Sequence, residues 1–397
     1  MNIKTILEKK SREQEESAPI LFNIQKEGDR RRLTALIRAR KIVHVSDDYD
    51  EQLREYFQVM HPPLVYAPDF ENKFLLYKKS LQSKRPLWQH GRWVYFQWFS
   101  TLAHILEDKQ FQTVRTARNR NLITVEEQER FYDAVIGIAG MSVGNSVALA
   151  IALQGGGRRM RLADFDRLAL SNMNRIRTGV QNLGLEKVYM TTRQIYEINP
   201  YAKIECFPEG LTEKNISRFF EGPPKLNIMI DEIDNLAVKY LIRVHARKNR
   251  IPIVMAADNA DNAVVDIERY DKNRNLSFFH GRMGKITFDG LRSLNKFQIG
   301  RLIAKHVGPE NTAIRMQESL PQMGKTIVSW PQLGGAAILN GAAVAYCARR
   351  IVNNQSLESN RALLSLDEQL IPGFNSSAAK NQRKLHTEKY KKIMGLK

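Results

Sequence analysis

The stretch from Tyr132 to Asp166 constrains the fold more than any other part of this chain. An apolar run, Ala134-Val135-Ile136-Gly137-Ile138-Ala139, enters a turn of small residues, Gly140-Met141-Ser142-Val143-Gly144-Asn145. An apolar helical segment from Ser146 to Gln154 follows, then a glycine triplet at 155–157 and a second apolar strand, Met160 to Ala163. That strand ends in Asp164-Phe165-Asp166. Strand, glycine turn, helix, strand and acid is the outline of a nucleotide-binding βαβ unit, in which the turn approaches phosphate and the acid accepts hydrogen bonds from ribose hydroxyls.

The alternation continues downstream. A helix over Leu185–Asn199 stops at Pro200, and Lys203–Phe207 reads as a strand. A short helix over Glu213–Phe220 precedes an apolar run, Leu226–Ile230, ending in Asp231-Glu232-Ile233-Asp234-Asn235. A helix over Leu236–Arg247 leads to a strand over Ile251–Ala256. Such alternation predicts an α/β fold, a Rossmann-like and mainly parallel sheet with helices on both faces. Ligands of such sheets sit at the carboxyl ends of the strands. Gly144, Asp164, Asp234 and Asp258 lie just past strand ends and are expected to converge on one crevice.

Upstream, residues 1–114 read as a smaller α/β module. Met1–Arg40 is charged and helical in pattern, Ile42–Val45 reads as a short strand, and Ser46-Asp47-Asp48 predicts an N-cap for a helix over Tyr49–Met60. An aromatic cluster holds Trp88, Trp93, Tyr95, Phe96, Trp98 and Phe99. Without interleaved basic residues it reads as packing rather than as a platform for bases. Thr124 and Glu127 have capping-box spacing for a helix leading into the first strand of the nucleotide unit. Residues 115–355 are expected to form the nucleotide-binding domain. Its helix over Gly334–Val352 is rich in small residues that suit close helix packing. Residues 356–397 are expected to be a mobile basic tail, with seven Lys and Arg against one acid from Asn375 onward.

Of the 397 residues, 61 are Lys or Arg and 42 are Asp or Glu, a net charge of +19 that suggests polyanion affinity or an acidic protein partner. The two cysteines, Cys206 and Cys347, are far apart, and the eight histidines are scattered. Neither a four-cysteine metal site nor a disulfide framework is expected, and no zinc. The charged N-terminus lacks a cleavage pattern and the most apolar stretch, Leu333–Cys347, is too short to span a bilayer. A soluble, cytoplasmic protein is the expectation.

A glycine turn with an acid twenty residues after Gly144 also suits a dehydrogenase. A dehydrogenase has no use for the rest of the set: Asn172 and Arg175 on the next loop, Lys187 at a helix start, and Asp234 after a later strand. Two cations, an amide and a second acid suit a triphosphate with Mg2+, the cations neutralising charge as pyrophosphate leaves and Asp234 holding the metal. Asp164-Phe165-Asp166, Ser171-Asn172-Met173-Asn174-Arg175, Gly184-Leu185-Glu186-Lys187, Ile198-Asn199-Pro200 and Asp231-Glu232-Ile233-Asp234-Asn235 resemble, in order and spacing, the motifs of the ThiF/MoeB/HesA superfamily of ubiquitin-activating-enzyme-like adenylyltransferases. The resemblance runs from about Arg118 to Ala257.

The resemblance implies ATP-dependent adenylation of a carboxylate, usually the C-terminal glycine of a ubiquitin-like or sulfur-carrier protein. It implies nucleotide contacts from Gly140, Ser142, Gly144, Asp164, Asp166, Asn172, Arg175 and Lys187, and a magnesium ligand in Asp234. It also implies a homodimer in which an arginine before the first strand, Arg120 with Arg118 as its rival, joins Arg175, Lys187 and Asp234 at the partner's active site. Three departures stand out. Ser142 occupies a position where the family has glycine, Ile176 replaces the usual glutamine, and no cysteine lies between Cys206 and Cys347. The last predicts adenylation without a stable enzyme thioester. Other readings remain: an adenylating enzyme acting on tRNA, of the threonylcarbamoyladenosine dehydratase kind, which the basic charge favours, or a non-catalytic nucleotide-binding scaffold.

Overall fold

The computed structural model describes residues 3–4 and 17–396. It divides into two units: the described residues up to Glu129 together with Thr192–Ala202, and Arg130–Thr191 with the chain from Lys203 onward. Most of the N-terminal helical stretch expected within 1–16 lies outside the described residues.

The first unit is an α/β module. Its elements are β1 (Ile20–Phe22), α1 (Glu27–Arg38), β2 (His44–Asp47), α2 (Tyr49–Met60), α3 (Phe70–Gln82), β3 (Arg92–Phe96), β4 (Thr101–Ile105) and α4 (Asp108–Arg115). The four strands form one sheet in the order β1-β3-β4-β2. Of the aromatic cluster, Trp93 and Tyr95 belong to its core, buried with Phe22 and Leu102, while Trp88 and Phe99 are exposed. The buried His104 ring is stacked between Tyr49 and Trp93, at centroid distances of 4.1 and 4.3 Å. His104 Nδ1 meets the Asp47 carboxylate at 2.8 Å and Nε2 the His90 carbonyl at 2.8 Å, so both ring nitrogens are satisfied.

Helix α5 (Val125–Asp133) starts as its capping-box spacing predicts. The Thr124 N–H donates to Glu127 Oε2 and the Glu127 N–H to Thr124 Oγ1. The second unit is then built from β5 (Val135–Ala139), α6 (Val143–Leu153), β6 (Arg159–Ala163), α7 (Lys187–Ile198, which ends in the first unit), β7 (Lys203–Phe207), α8 (Ile216–Glu221), β8 (Ile228–Asp231), α9 (Leu236–Asn249), β9 (Ile253–Asn259) and β10 (Asn262–Glu268). It continues through α10 (Phe288–Arg292), α11 (Lys296–Val307), α12 (Ile314–Ser319), α13 (Gly334–Val352), β11 (Asn360–Leu364), α14 (Leu366–Leu370) and α15 (Ser377–Met394).

The strand order is β11-β10-β9-β8-β5-β6-β7. The run from β9 to β7 is parallel, and β10 and β11 add an antiparallel edge. The fold is therefore α/β with a large, mostly parallel sheet flanked by helices. Alternation along β5 explains why both faces are covered. Val135 and Ala139 enter a core with Phe219 and Phe220 of α8 and Ile242 of α9, whereas Ile138 points to the face where Gly144 of α6 sits. On that second face α13 crosses α6 so closely that a Cβ at Gly341 would lie 2.8 Å from the Ser146 carbonyl oxygen.

Two elements depart from the sequence reading. Strand β10, a fully buried seven-residue strand, was not among the expected elements. Its charges obscured it. Asp266 is matched by Arg361 and Glu268 by Arg243, at 2.8 Å for the latter pair. Residues 356–397 are also not a tail. Asn360–Leu364 pairs with β10 as the edge strand. Helix α15 begins where Ser376 Oγ accepts the Ala379 N–H and buries Tyr390 and Met394 with Ala304. Its apolar stripe is two residues wide in a lysine-rich sequence, too weak a periodicity to read from the chain alone. Among the described residues no helix is long and apolar enough to cross a membrane.

Candidate active site

Strand order reverses beside β5. The chain moves outward through β6 and β7, then returns to add β8 and β9 on the other side. That reversal opens a crevice past the carboxyl ends of β5 and β8, the place where open α/β sheets bind ligands. Gly140 forms its floor with φ of +91°, and a Cβ there would lie 2.3 Å from the Glu232 carbonyl oxygen. Only glycine combines that conformation with that approach.

Asp164, at the end of β6, is tied to the turn. Its Oδ2 accepts the Met141 N–H at 2.5 Å and its Oδ1 the Asp166 N–H at 2.7 Å. Burial pushes its pKa up, and those two amides and Lys187 pull the other way. Asp166 in turn holds Lys187, whose Nζ donates to Asp166 Oδ2 at 2.8 Å. Lys187 is 5% exposed, a buried cation at the first turn of α7.

Arg175 reaches the turn from the loop after β6. Its Nε donates to Ser142 Oγ at 3.0 Å, so the serine that replaces a family glycine anchors the arginine. Burial lowers the Arg175 pKa, and Asp258 and Asp234 offset it. Asn172 spends its amide oxygen within the loop, accepting the Ala169 N–H at 3.0 Å. Ile176, in place of glutamine, is buried with Leu168, Leu185 and Met190 and pins the loop from beneath.

Across the turn stand two acids from β8 and β9. Asp234 is exposed and has no hydrogen-bond or ion-pair partner among the described residues. Asp231, three residues earlier, is fully buried; burial opposes its charge, but Lys239 and Arg243 hold its pKa below the usual carboxylate range. Asp258 accepts from Gln332 Nε2 at 3.0 Å and Asn340 Nδ2 at 2.5 Å. Burial raises its pKa against those donors and Arg175. The structure thus brings Gly140, Ser142, Gly144, Asp164, Asp166, Asn172, Arg175, Lys187 and Asp234 to the elements around one crevice. Arg120 belongs to the first unit, where its guanidinium donates to the Val59 carbonyl at 3.2 Å.

Asp258 was legible only as a strand-end residue. Its partners Gln332 and Asn340 were not foreseen, because nothing in the local pattern ties them to β9. A cavity of about 300 Å³ opens beside Asp234 and Asp258, walled by α11, α12 and α15, and it was not foreseen either. An unpaired carboxylate that interacts with the anchored Arg175 suits Mg2+, which takes one or two protein carboxylates and completes its shell with water and phosphate. Among the described residues no three His, Cys, Asp or Glu side chains cluster to hold a metal by themselves.

Residues 116–268 match the model of the ThiF family. An uncharacterized protein of Mycobacterium tuberculosis, MT1398, is 32% identical over 326 residues, 82% of this chain and 45% of that protein. The tRNA threonylcarbamoyladenosine dehydratase of Escherichia coli is 31% identical over 121 residues, 30% of this chain and 43% of that protein. A probable molybdopterin-synthase adenylyltransferase of Porphyra purpurea is 31% identical over 121 residues, 30% of this chain and 31% of that protein. The chain therefore spans less than half the length of each of these relatives. The match covers the glycine turn, Asp164, Asp166, Arg175, Lys187 and Asp234: residues 116–268 form a ThiF-family domain.

Proposed function

We propose that this chain uses ATP to adenylate a carboxylate at the C-terminus of a protein or peptide, of the ubiquitin-like or sulfur-carrier kind or a shorter chain, and releases pyrophosphate. The observation that carries the reading is the arrangement around Gly140: a ribose-side acid, Asp164, on one flank, two cations near the turn, and the unpaired Asp234 on the other flank. A carboxylate oxygen attacks the α-phosphorus, and the bond to the bridging oxygen breaks with its electron pair leaving on pyrophosphate. Arg175 and Lys187 neutralise the charge that builds on the leaving group. Asp164 orients the ribose. Asp234 would hold Mg2+, which supplies Lewis-acid polarisation of the phosphoryl oxygens.

The product is expected to leave without a stable thioester. Cys347 is buried on α13 with its thiol pKa pushed up to about 11 by burial, and only a thiolate is nucleophilic. Cys206 lies within β7. We assign Arg120, with Arg118 as the alternative, to a homodimer arm that completes the partner's site.

ATP–pyrophosphate exchange tests the reading. Exchange that needs a protein or peptide acceptor and disappears in Asp234→Ala supports it. A second reading, a tRNA-directed adenylating enzyme, draws on the +19 charge and on the Escherichia coli relative. Exchange that responds to tRNA alone would establish that one instead. Tight ATP binding without exchange under any acceptor would leave a nucleotide-binding scaffold.

A further inference from the structure

The cavity beside Asp234 and Asp258 has a definite place in the sheet. Asp164 follows β6, on one side of the glycine turn; Asp234 follows β8 and Asp258 is the second-last residue of β9, on the other. With ribose at Asp164 and the phosphates over the turn, the second side is left for the acceptor. The cavity there is about 300 Å³, at the small end of ligand pockets. A cavity of about half that size accepts a body as large as benzene.

Six apolar side chains line the cavity here, Met255, Ile299, Ile303, Met316, Leu320 and Trp330, alongside the polar Lys239, Asn259, His306 and Thr312. Met255 and Met316 are buried. Among the described residues one buried polar group of this lining has no hydrogen-bond partner. Tyr390 of α15 lines the cavity at 2% exposure, and its hydroxyl is buried with no hydrogen-bond partner. A buried hydroxyl without a partner has lost its water and gained nothing in return, a penalty that a ligand's polar group would remove. An acceptor ending in glycine has no side chain to fill this space.

On the adenylation reading above, on which this rests, we propose that the cavity receives the side chain next to the reacting carboxylate. The acceptor's terminal residue is then bulky and apolar rather than glycine, with its adjoining amide within reach of Tyr390. The same chemistry is presented by a free N-acylated apolar amino acid and by a peptide end.

Calorimetry on the full chain with a non-hydrolysable ATP analogue tests this with N-acetyl-leucine, N-acetylglycine, and decapeptides ending in leucine or glycine. Leucine forms should bind at least about tenfold tighter than glycine forms, the gain from burying one such side chain. The leucine decapeptide outbinding N-acetyl-leucine would identify a peptide; equal affinities would identify the free acid as sufficient. Ile303→Trp should abolish the leucine preference, and Ile303→Phe, a smaller filling, should reduce it if the tryptophan variant does not unfold cooperatively. Equal binding of leucine and glycine forms, or a preference that survives both fillings, would overturn the proposal. Exchange is read separately. Exchange with glycine ends and no leucine preference would sink the pocket and leave adenylation standing. A leucine preference without exchange would keep the pocket and count against adenylation.

Discussion

Asp234 and His306 show how differently single residues can be placed in one unit. Asp234 is exposed and unpaired among the described residues, so its removal should leave the melting temperature unchanged, as surface substitutions do. If it holds the metal, Asp234→Ala should lower exchange by about 10²–10³, the range for one transition-state contact. His306 is 4% exposed, and burial together with Arg361 depresses its pKa to about 2. A depressed histidine contributes stability that is full above pH 6.5 and is lost as the pH falls below it. Asp266 faces burial too, but His280 and Arg361 hold it below the usual carboxylate range, so it adds slope only below about pH 4. His280, raised by its hydrogen bond to Asp266, is protonated in both states below about pH 6 and adds none. Carboxylates that burial raises, Glu232 above all, act with the opposite sign over the same window, so the histidine is read by comparison. Between pH 6 and 4.5 the stability of His306→Gln relative to the parent should rise by up to about 1.4 kcal/mol per unit of acidification, measured by urea unfolding of both. The sequence showed which residues carry charge at strand ends. It did not show that Ser142 would anchor Arg175, because that contact depends on how the 171–175 loop folds back.

Elements are joined by two devices of opposite character. Helix α13 meets α6 through absence: Gly341 has no side chain, and its neighbour is backbone that cannot yield. Gly341→Ala should cost about 1–3 kcal/mol by overpacking, measured as a lower urea midpoint at unchanged slope. Helix α9 is joined to the sheet through charge. Arg243, fully buried, binds Asp231 at the end of β8 and Glu268 at the end of β10, and its guanidinium lies 3.9 Å from the Phe279 ring centroid. Arg243→Met leaves Glu268 without its ion-pair partner and Asp231 with Lys239 alone, and should cost about 3–5 kcal/mol, measured by urea unfolding. The elements from 134 to 260 were legible because strand and helix periods there are long and apolar. Strand β10 and helix α15 were hidden, the first by paired charges and the second by its lysines.

At the scale of the molecule, the net charge of +19 has consequences for any mixture containing nucleic acid. Binding to tRNA should fall by about 10³ or more between 50 and 200 mM salt, as for six or more phosphate contacts. DNA of equal length should bind comparably, as filter binding at several salt concentrations would report. A salt-resistant preference for tRNA would instead favour the nucleic-acid substrate. The segment that carries the family signature, 116–268, is a unit of inheritance but not of folding. Asp258 leans on Gln332 and Asn340, α6 is roofed by α13, and the antiparallel edge is closed by β11. All three supports come from later in the chain. An excised 116–268 fragment would keep every residue of the matched segment while exposing one face of its own sheet. It should aggregate rather than bind ATP, and a functional transplant of this domain would have to carry the chain through α15.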